Sequence, residues 1–364
     1  MAAFTAKDVQ ALREKTGVGM MDCKKALVEA EGDIDKAVEL LREKGLASAA
    51  KKATRIAAEG TIGVYANAEA SALVELNCET DFVGNNPDFK ALANKIAQTV
   101  VEANPADLDA LNAAKIAGGD MTVAEAIQEL FLALRENLKL RRFARVEGTA
   151  VSYIHAGGSV GVLVAFDTDA ADKAEFAEMG KNVAMQIAAM NPEYLSHEDI
   201  SAEELEKMKA ITIDSGLNKP DTLPKPILID VVAKTIAKGL WSEEDKAAYE
   251  EQKNNKFLFN FLSKEGIAAL AQVAVEDKEE YAANNIYAKA VEGRIKKQIT
   301  EICLLDQVFV RSDVFDGNVG GYIANVAKAN GFNVKATQFV RFAKGEGIEK
   351  KVDDLAAEVA SMVK

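Results

Sequence analysis

The residue types that carry most enzymatic chemistry are few and scattered in this chain. It has two histidines, His155 and His197, and three cysteines, Cys23, Cys78 and Cys303, none of which stands in a C-x-x-C pair. A Ser-His-Asp triad or a zinc site needs several such residues that can be brought together. An odd number of well-separated cysteines also argues against a disulfide framework. We therefore expect reduced cysteines in the core, and we predict no metal site.

The sequence also lacks the loops that hold nucleotide phosphates. It contains no G-x-x-x-x-G-K-[S/T] and no G-x-G-x-x-G after a strand-like run, the two patterns whose main-chain amides cradle phosphate groups. We therefore predict that the chain binds no nucleotide and needs no cofactor. The alternative is an enzyme that uses the carboxylates of Asp22, Glu79 and Asp81 as acid and base. Such clusters arise by chance in a chain with 57 acidic residues, so they do not indicate catalysis by themselves.

The size and the net charge of the chain limit the kinds of partner that it can bind. The chain has 364 residues, with 44 Lys and Arg against 57 Asp and Glu and a net charge of −13, and this length predicts about two to three domains. An acidic surface repels phosphate backbones and anionic lipids, which argues against nucleic acid as the main ligand. No apolar run approaches the ~20 residues of a membrane span, and the start MAAFTAKDVQ lacks the layout of a signal peptide. We expect a cytoplasmic protein.

Any functional residue must be positioned by secondary-structure elements. The first of these are three short helices predicted in residues 1–54. Gly17 and Gly19 separate the first two helices, and the apolar spacing of the third helix continues to about Gly45. Three helices this short form a small bundle. The basic run at 49–55 is interpreted as a solvated linker, because the acidic chain disfavours a nucleic-acid role for it.

An internal repeat follows the bundle. With a shift of 88 residues, nine of the 23 positions at 59–81 are identical to those at 147–169. After a one-residue slip the match continues, and each copy has the pattern strand, turn, strand, helix. Helices are expected at 89–103 and 176–190. The repeat predicts two related α+β subdomains.

The rest of the chain is predicted to be mostly helical. A charged helix from Ser201 and a helix with an apolar stripe at about 285–302 are expected to form an antiparallel hairpin. An insertion at about 220–285 separates its arms, and prolines exclude a helix at its start. The C-terminal patterns predict a strand at 307–311, a helix at 319–329, a strand at 337–342 and a final amphipathic helix at 350–364.

One difference between the repeats marks a candidate site. After the shared Thr-Asp pair, the first copy continues with Phe82-Val83 and the second with Ala170-Ala171. A large aromatic residue beside a carboxylate, in a turn ahead of Asn85-Asn86-Pro87, is positioned to project from the surface. The alternative is that Phe82 fills the core of its own subdomain. The repeat alone does not decide between these two interpretations.

Three segments of the chain resemble the motifs of the bacterial translation elongation factor Ts family. They are LREKTGVGMMDCKKAL at 12–27, ELNCETDFV at 75–83 and FVRFAKGEGIEK at 339–350. The resemblance covers the chain except for about 220–285, and the length and order of the motifs exclude chance. It implies a guanine nucleotide exchange factor for elongation factor Tu, the GTPase that delivers aminoacyl-tRNA, and not an enzyme.

The resemblance also implies how the exchange takes place. In the family a Thr-Asp-Phe-Val segment enters the GTPase near its nucleotide and displaces the Mg²⁺ ion. The matching residues in this chain are Thr80, Asp81, Phe82 and Val83.

Two further contacts with the GTPase are implied. The N-terminal bundle resembles ubiquitin-associated (UBA) domains, and Arg13, Met20 and Met21 are its expected contact residues, with one methionine in the core and one at the interface. His155 matches a family histidine that contacts the partner, although a structural or solvent-facing role is the alternative. The final helix is also implied to reach the GTPase.

The hairpin leaves two questions open. Some family members use a short-looped hairpin to form a homodimer or to touch the partner, and the insertion here would either block such a dimer or build a different one. Its aromatic residues, Trp241 and those at 257–261, are interpreted as a small core rather than an interface. A third hypothesis is a UBA-type module fused to an unrelated body, and the repeat and the other two motifs count against it.

The predicted fold class is therefore α+β. The predicted divisions are a UBA-like three-helix domain at 1–54, core subdomain N at 55–145, core subdomain C at 146–200 and 303–349, the helical hairpin with its insertion at 201–302, and a C-terminal helix at 350–364.

Overall fold

The computed structural model describes residues 4–349, so the predicted C-terminal helix at 350–364 lies outside the described residues. The described chain mixes helices with two three-stranded sheets, which confirms the α+β class. It divides into two compact units. The first comprises 4–191, 309–316 and 321–349, and the second comprises 192–308 and 317–320. In the described residues no helix is both long enough and apolar enough to cross a membrane.

The N-terminal bundle consists of α1 (Ala6–Thr16), α2 (Met20–Glu29) and α3 (Ile34–Lys52). Leu12 and Leu27 are fully buried between the helices. The third helix does not end near Gly45 as predicted, because that glycine lets α3 pack closely on a later helix. A Cβ built there would lie 2.0 Å from Cδ2 of Leu132. Residues 49–52 therefore belong to the last turn of α3 and not to a linker.

The first sheet holds β1 (Glu59–Ala66), β2 (Ala70–Cys78) and β3 (Lys139–Glu147), antiparallel in that order. Between β2 and β3 the chain forms α4 (Asp81–Gly84), α5 (Pro87–Ala103), α6 (Leu108–Ala113) and α7 (Val123–Leu134). Helix α5 packs on the sheet, and Leu76, Phe89 and Ile96 are fully buried in the core between them. The sequence reasoning did not predict α6, α7 or β3.

The second sheet repeats this order with β4 (Ala150–His155), β5 (Val160–Thr168) and β6 (Val334–Ala343), and α8 (Ala174–Met190) packs on it. Helices α5 and α8 both have 17 residues. Each ends at an asparagine in the left-handed region, Asn104 with φ 45° and Asn191 with φ 46°. The two helices are thus offset by 87 residues, as the one-residue slip predicted.

The second unit contains α9 (Ala202–Leu217), α10 (Lys225–Ala237), α11 (Glu243–Gln252), α12 (Lys264–Glu276), α13 (Lys278–Ala283) and α14 (Asn285–Ile302). The hydroxyl of Tyr287, near the start of α14, donates to the carbonyl of Ile213, near the end of α9, at 2.8 Å. The main-chain amide of Glu193, ahead of α9, donates to the carbonyl of Ile302, the last residue of α14, at 2.8 Å. The two helices therefore run antiparallel.

The aromatic residues of the segment between α9 and α14 are divided between core and surface. Trp241 and Leu258 are buried in the core of this unit. Phe257 is 62% exposed and Phe261 is 50% exposed. The expectation of a small core therefore holds for only part of the cluster.

The chain after α14 lacks the predicted strand at 307–311. Val308 forms an isolated bridge with Asn318, and the amide of Val310 donates to the side-chain oxygen of Gln186 at 2.8 Å. Phe309 is buried and stacks on Tyr322 with ring centroids 4.2 Å apart. Apolar burial in an irregular segment thus produced a strand-like pattern. Helix α15 (Val319–Asn330) follows where it was predicted.

Candidate functional site

The Thr80–Val83 segment lies where the chain leaves the buried strand β2. Thr80 caps α4, and its Oγ1 accepts a hydrogen bond from the Val83 amide at 3.4 Å. The amide of Asn85 donates to the carbonyl of Asp81 at 2.9 Å and closes the turn. Successive residues of a helical turn point about 100° apart. One residue of this short helix therefore faces the core while its neighbour faces solvent.

Phe82 is the residue that faces solvent. Its exposed fraction is 85%, whereas the next residue, Val83, is 8% exposed and belongs to the core of the first sheet. The alternative in which Phe82 fills its own core is therefore wrong. Val83 anchors the turn and Phe82 projects from it, which leaves the apolar area of an entire phenyl ring in water.

The second copy of the repeat has no such projection. Ala170, which replaces Phe82, is fully buried. Asp169, the counterpart of Asp81, accepts hydrogen bonds from the main-chain amide of Asn333 at 2.9 Å and from its side-chain amide at 3.0 Å. These bonds hold the pKa of Asp169 below its ordinary value. By contrast, the Asp81 side chain has no hydrogen bond or ion pair within residues 4–349.

Glu136, in the loop after α7, holds the turn from the other side. Its Oε2 accepts from the amides of Glu79 at 3.0 Å and Thr80 at 2.9 Å, and its Oε1 accepts from the Thr80 hydroxyl at 2.5 Å. Sequence reasoning missed this residue. It lies 56 positions after Thr80, beyond the residues that the repeat aligns.

The turn also sits closely on β1. A Cβ built on Gly84 would lie 3.0 Å from the carbonyl oxygen of Gly60. Gly60 itself has a φ of 142°, and a Cβ there would lie 2.2 Å from the carbonyl oxygen of Leu76. Main chain therefore packs on main chain beneath Phe82.

His155 is exposed at the end of β4, with its Nδ1 3.0 Å from the hydroxyl of Tyr153. The loop after it lies close to the Phe82 turn. Lys90 donates from Nζ to the side-chain oxygen of Asn85 at 3.1 Å, and the same nitrogen is 3.7 Å from a Cβ built on Gly157. The structure thus brings the His155 loop and α4 to one neighbourhood through Lys90, which the sequence did not indicate.

The three residues expected to make contacts in the N-terminal bundle are all exposed. Arg13 lies on the surface of α1, and the two methionines at the start of α2 are 50% exposed at Met20 and 66% exposed at Met21. The expectation that one methionine is in the core is therefore wrong. Val18 and Cys23 fill the core on either side of the pair, with exposed fractions of 1% and 0%.

The start of α2 and the Phe82 turn are joined through neighbouring residues of one loop. Asp22, the residue after Met21, forms an ion pair with Arg135 at 2.6 Å. Glu136, the residue after Arg135, accepts a hydrogen bond from Thr80. Both groups of predicted contact residues are therefore attached to the loop at 135–137, in one compact unit.

Two of the three candidate acid–base carboxylates, Glu79 and Asp22, have structural partners. Glu79 pairs with Arg55 at 3.2 Å and accepts from the Asn137 amide at 2.7 Å, and Asp22 pairs with Arg135. Within residues 4–349 no group of three or more His, Cys, Asp or Glu is arranged to hold a metal ion.

All three cysteines are free and buried, as predicted. Burial raises the pKa of the Cys78 thiol to about 12 and that of Cys303 to about 11, and it also raises the pKa of Cys23. A thiol with such a pKa stays protonated at neutral pH and is a poor nucleophile. The cysteines are therefore core residues.

Known proteins are similar to this chain over most of its length. The family model for Elongation factor TS matches residues 79–346. The chain is 40% identical to Elongation factor Ts of Clostridium perfringens over 99% of both chains, 39% identical to that of Syntrophotalea carbinolica over 99% of both, and 38% identical to that of Clostridioides difficile over 100% of both.

These matches also correct one expectation. An alignment of 364 residues that covers 99% of both chains leaves no room for a missing segment of about 65 residues. The segment at about 220–285 is therefore shared with these relatives and is not a departure peculiar to this chain. The chain belongs to the elongation factor Ts family.

Proposed function

We propose that this protein is a guanine nucleotide exchange factor of translation elongation that binds elongation factor Tu with GDP, displaces its Mg²⁺ and promotes release of GDP in exchange for GTP. It acts in the cytoplasm by protein–protein contact, without covalent chemistry, a cofactor or direct binding of nucleic acid. The observation that carries the proposal is the 85% exposure of Phe82 on a turn that Thr80 and Val83 anchor.

The exposed ring supplies the driving force for the exchange. Mg²⁺ at a GTPase site bridges the nucleotide phosphates to few protein ligands and several waters, so a small shift of its shell loosens the nucleotide. Burial of a large aromatic side chain in a partner is a typical source of interface energy. Phe82 provides that apolar area, and the unengaged carboxylate of Asp81 accepts hydrogen bonds from the displaced main chain of the GTPase.

Exchange then follows from linkage. A partner that binds the nucleotide-free GTPase more tightly than the GDP form must weaken GDP binding by the same factor. No step needs an acid, a base or a nucleophile in this chain. The paired states of Glu79 and Asp22 are consistent with this mechanism.

Other exposed residues extend the proposed contact surface. Arg13, Met20 and Met21 contribute from the N-terminal bundle, and His155 contributes from the loop that adjoins α4 through Lys90. The antiparallel pair α9 and α14 is a further candidate surface, either for the GTPase or for a homodimer, because Ile211 on α9 is 67% exposed.

Replacement of the exposed phenylalanine tests the proposal. Removal of an interface hot spot costs about 2 kcal/mol or more, so Phe82→Ala is expected to slow stopped-flow release of fluorescent GDP from elongation factor Tu about 30-fold. Phe257→Ala removes a second phenylalanine that is also largely exposed, and it is expected to leave the rate unchanged. If elongation factor Tu released GDP as fast with Phe82→Ala as with the wild type, Phe82 would not be the wedge.

A further inference from the structure

We infer that Glu136 is the positioning residue of the exchange site, and that it holds the Thr80–Val83 turn in the conformation that presents Phe82. The inference rests on the proposed function and extends it to a residue outside the family motifs. The direct evidence is the set of three hydrogen bonds that its carboxylate accepts from Glu79 and Thr80. A carboxylate accepts such bonds more strongly than a neutral group does.

The carboxylate also decides which way the Thr80 hydroxyl points. A hydroxyl has one hydrogen, and here Oε1 of Glu136 accepts it at 2.5 Å. The lone pairs of Thr80 Oγ1 are then directed to the amide of Val83, 3.4 Å away. Glu136 therefore stabilises the cap of α4, and through that cap it determines where Val83 and Phe82 lie.

The loop that carries Glu136 is fixed independently of the turn. The Asn137 amide donates to the carboxylate of Glu79 at 2.7 Å, and its side chain donates to the carbonyl of Arg55 at 2.8 Å. The carbonyl of Arg135 accepts from Lys52 at the end of α3. Since the loop has these other anchors, it can impose a conformation on the turn.

The second copy indicates what the carboxylate achieves. There the hydroxyl of Thr168 donates to the carbonyl of Asn333 at 2.7 Å, and Asp169 accepts from both amides of the same asparagine. The fold can therefore close this position without an added carboxylate, but the aspartate is then occupied. In the first copy Glu136 accepts from the amides of Glu79 and Thr80 and from the Thr80 hydroxyl. The Asp81 side chain has no partner in the described chain and is available to the GTPase.

Positioning matters because Phe82 has no packing of its own. With 85% of its surface in water, its location is determined by the backbone beneath it. A turn that samples several conformations must be ordered on binding, and this ordering opposes the insertion of the ring. The penalty falls on the step that displaces Mg²⁺, so loss of Glu136 is expected to slow exchange through Phe82.

Three variants of the full chain test the inference. Glu136→Ala removes all three hydrogen bonds and is expected to slow GDP release from elongation factor Tu about tenfold. Glu136→Gln retains an acceptor for the two main-chain amides and is expected to stay within about threefold of the wild type. Glu102→Ala removes an exposed carboxylate on α5 that accepts a hydrogen bond from Gln98, and it controls for the change in net charge.

A double-mutant cycle separates positioning from general stability. If Glu136 acts through the aromatic ring, Glu136→Ala is expected to slow release less than about twofold in a Phe82→Ala background. An equal slowing in both backgrounds would overturn the inference, because the residue would then act independently of Phe82.

Amide hydrogen exchange of the free protein provides a readout that needs no GTPase. Glu136→Ala is expected to accelerate exchange at Thr80 and Val83 about tenfold, while amides in α12, which belongs to the second compact unit, keep wild-type rates. Unchanged exchange at both amides would refute the positioning role even if the proposed function holds. Conversely, a wild-type protein that failed to accelerate GDP release would refute the proposed function, and the exchange rates would still report on Glu136.

Discussion

Asp81 and Asp169 occupy matching positions in the two copies, but they have opposite surroundings. Asp169 accepts two hydrogen bonds from Asn333, whereas Asp81 has no partner in the described chain. We predict that Asp81→Ala slows GDP release about tenfold, the effect of one charged hydrogen bond, without lowering the melting temperature. Asp169→Ala is expected to lower the melting temperature and to leave GDP release unchanged. Stopped-flow kinetics and thermal melts on both variants check this pair, and the reverse pattern would contradict it.

The same pair gives a pH dependence. Because the pKa of Asp169 is lowered in the folded state from its ordinary 3.8, its contribution to stability is present above pH 3.8 and is lost as the pH falls through its folded pKa. The difference in melting temperature between the wild type and Asp169→Ala should therefore be constant near neutral pH and shrink in acid. If this difference in melting temperature grew on acidification, the pKa of Asp169 would be raised in the folded state and not lowered.

The sequence predicted part of the candidate site because comparison of the two copies isolated it. Phe82 stood out as a large aromatic residue that the second copy replaces with alanine. The contrast did not decide between a core and a surface position, and the 85% exposure of the side chain does. Glu136 and Lys90 could not be found in this way. Glu136 binds Thr80, which is 56 positions away in the chain, and Lys90 approaches Gly157 of the other repeat, so both contacts form only with the tertiary structure.

Strand β3 illustrates the same limit for a whole element. Its sequence, KLRRFARVE, has cations where an alternating strand would have apolar residues. The reason lies in β2, where the fully buried Glu75 accepts from Arg141 at 2.9 Å, from Arg142 at 2.5 Å and from the Gly345 amide at 2.8 Å. Buried charge is tolerated when it is paired and hydrogen-bonded. The cations of the strand pair with Glu75, which lies 66 positions before Arg141, and Glu75 also accepts from Gly345, 270 positions after it. No local pattern reveals these partners.

Replacement of two glycines by alanine is expected to change stability in opposite directions. A Cβ built on Gly63 in β1 would lie 2.4 Å from the main-chain carbonyl of Ala93 in α5, so Gly63→Ala must push the helix off the sheet and is expected to destabilise by about 1–3 kcal/mol. Gly293 in α14 has nothing within 4 Å of such a Cβ, so Gly293→Ala is expected to stabilise its unit by about 1 kcal/mol. Urea denaturation of each variant measures both. A neutral Gly63→Ala would mean that α5 and β1 pack less closely than described.

For the molecule as a whole, the proposed function requires that GDP and this protein compete for elongation factor Tu. The proposed mechanism assigns this chain no GDP site of its own, so we expect any effect of GDP on the complex to pass through the GTPase. We predict that the mixed proteins form a stable complex that excess GDP disperses. The factor by which GDP weakens the complex must equal the factor by which this protein weakens GDP binding, because the coupling is reciprocal.

Light scattering and titration calorimetry with and without GDP measure the mass of the complex and both binding constants. The mass of a 1:1 complex would mean that α9 and α14 have no role in dimer formation. The mass of a 2:2 complex would make these helices the first surface to mutate, beginning with the exposed Ile211. A complex whose affinity did not change with GDP would contradict the exchange mechanism, however tightly the two proteins bound. In that case Phe82 would be a contact that provides affinity but does not displace the nucleotide, and Phe82→Ala would weaken the complex equally with and without GDP.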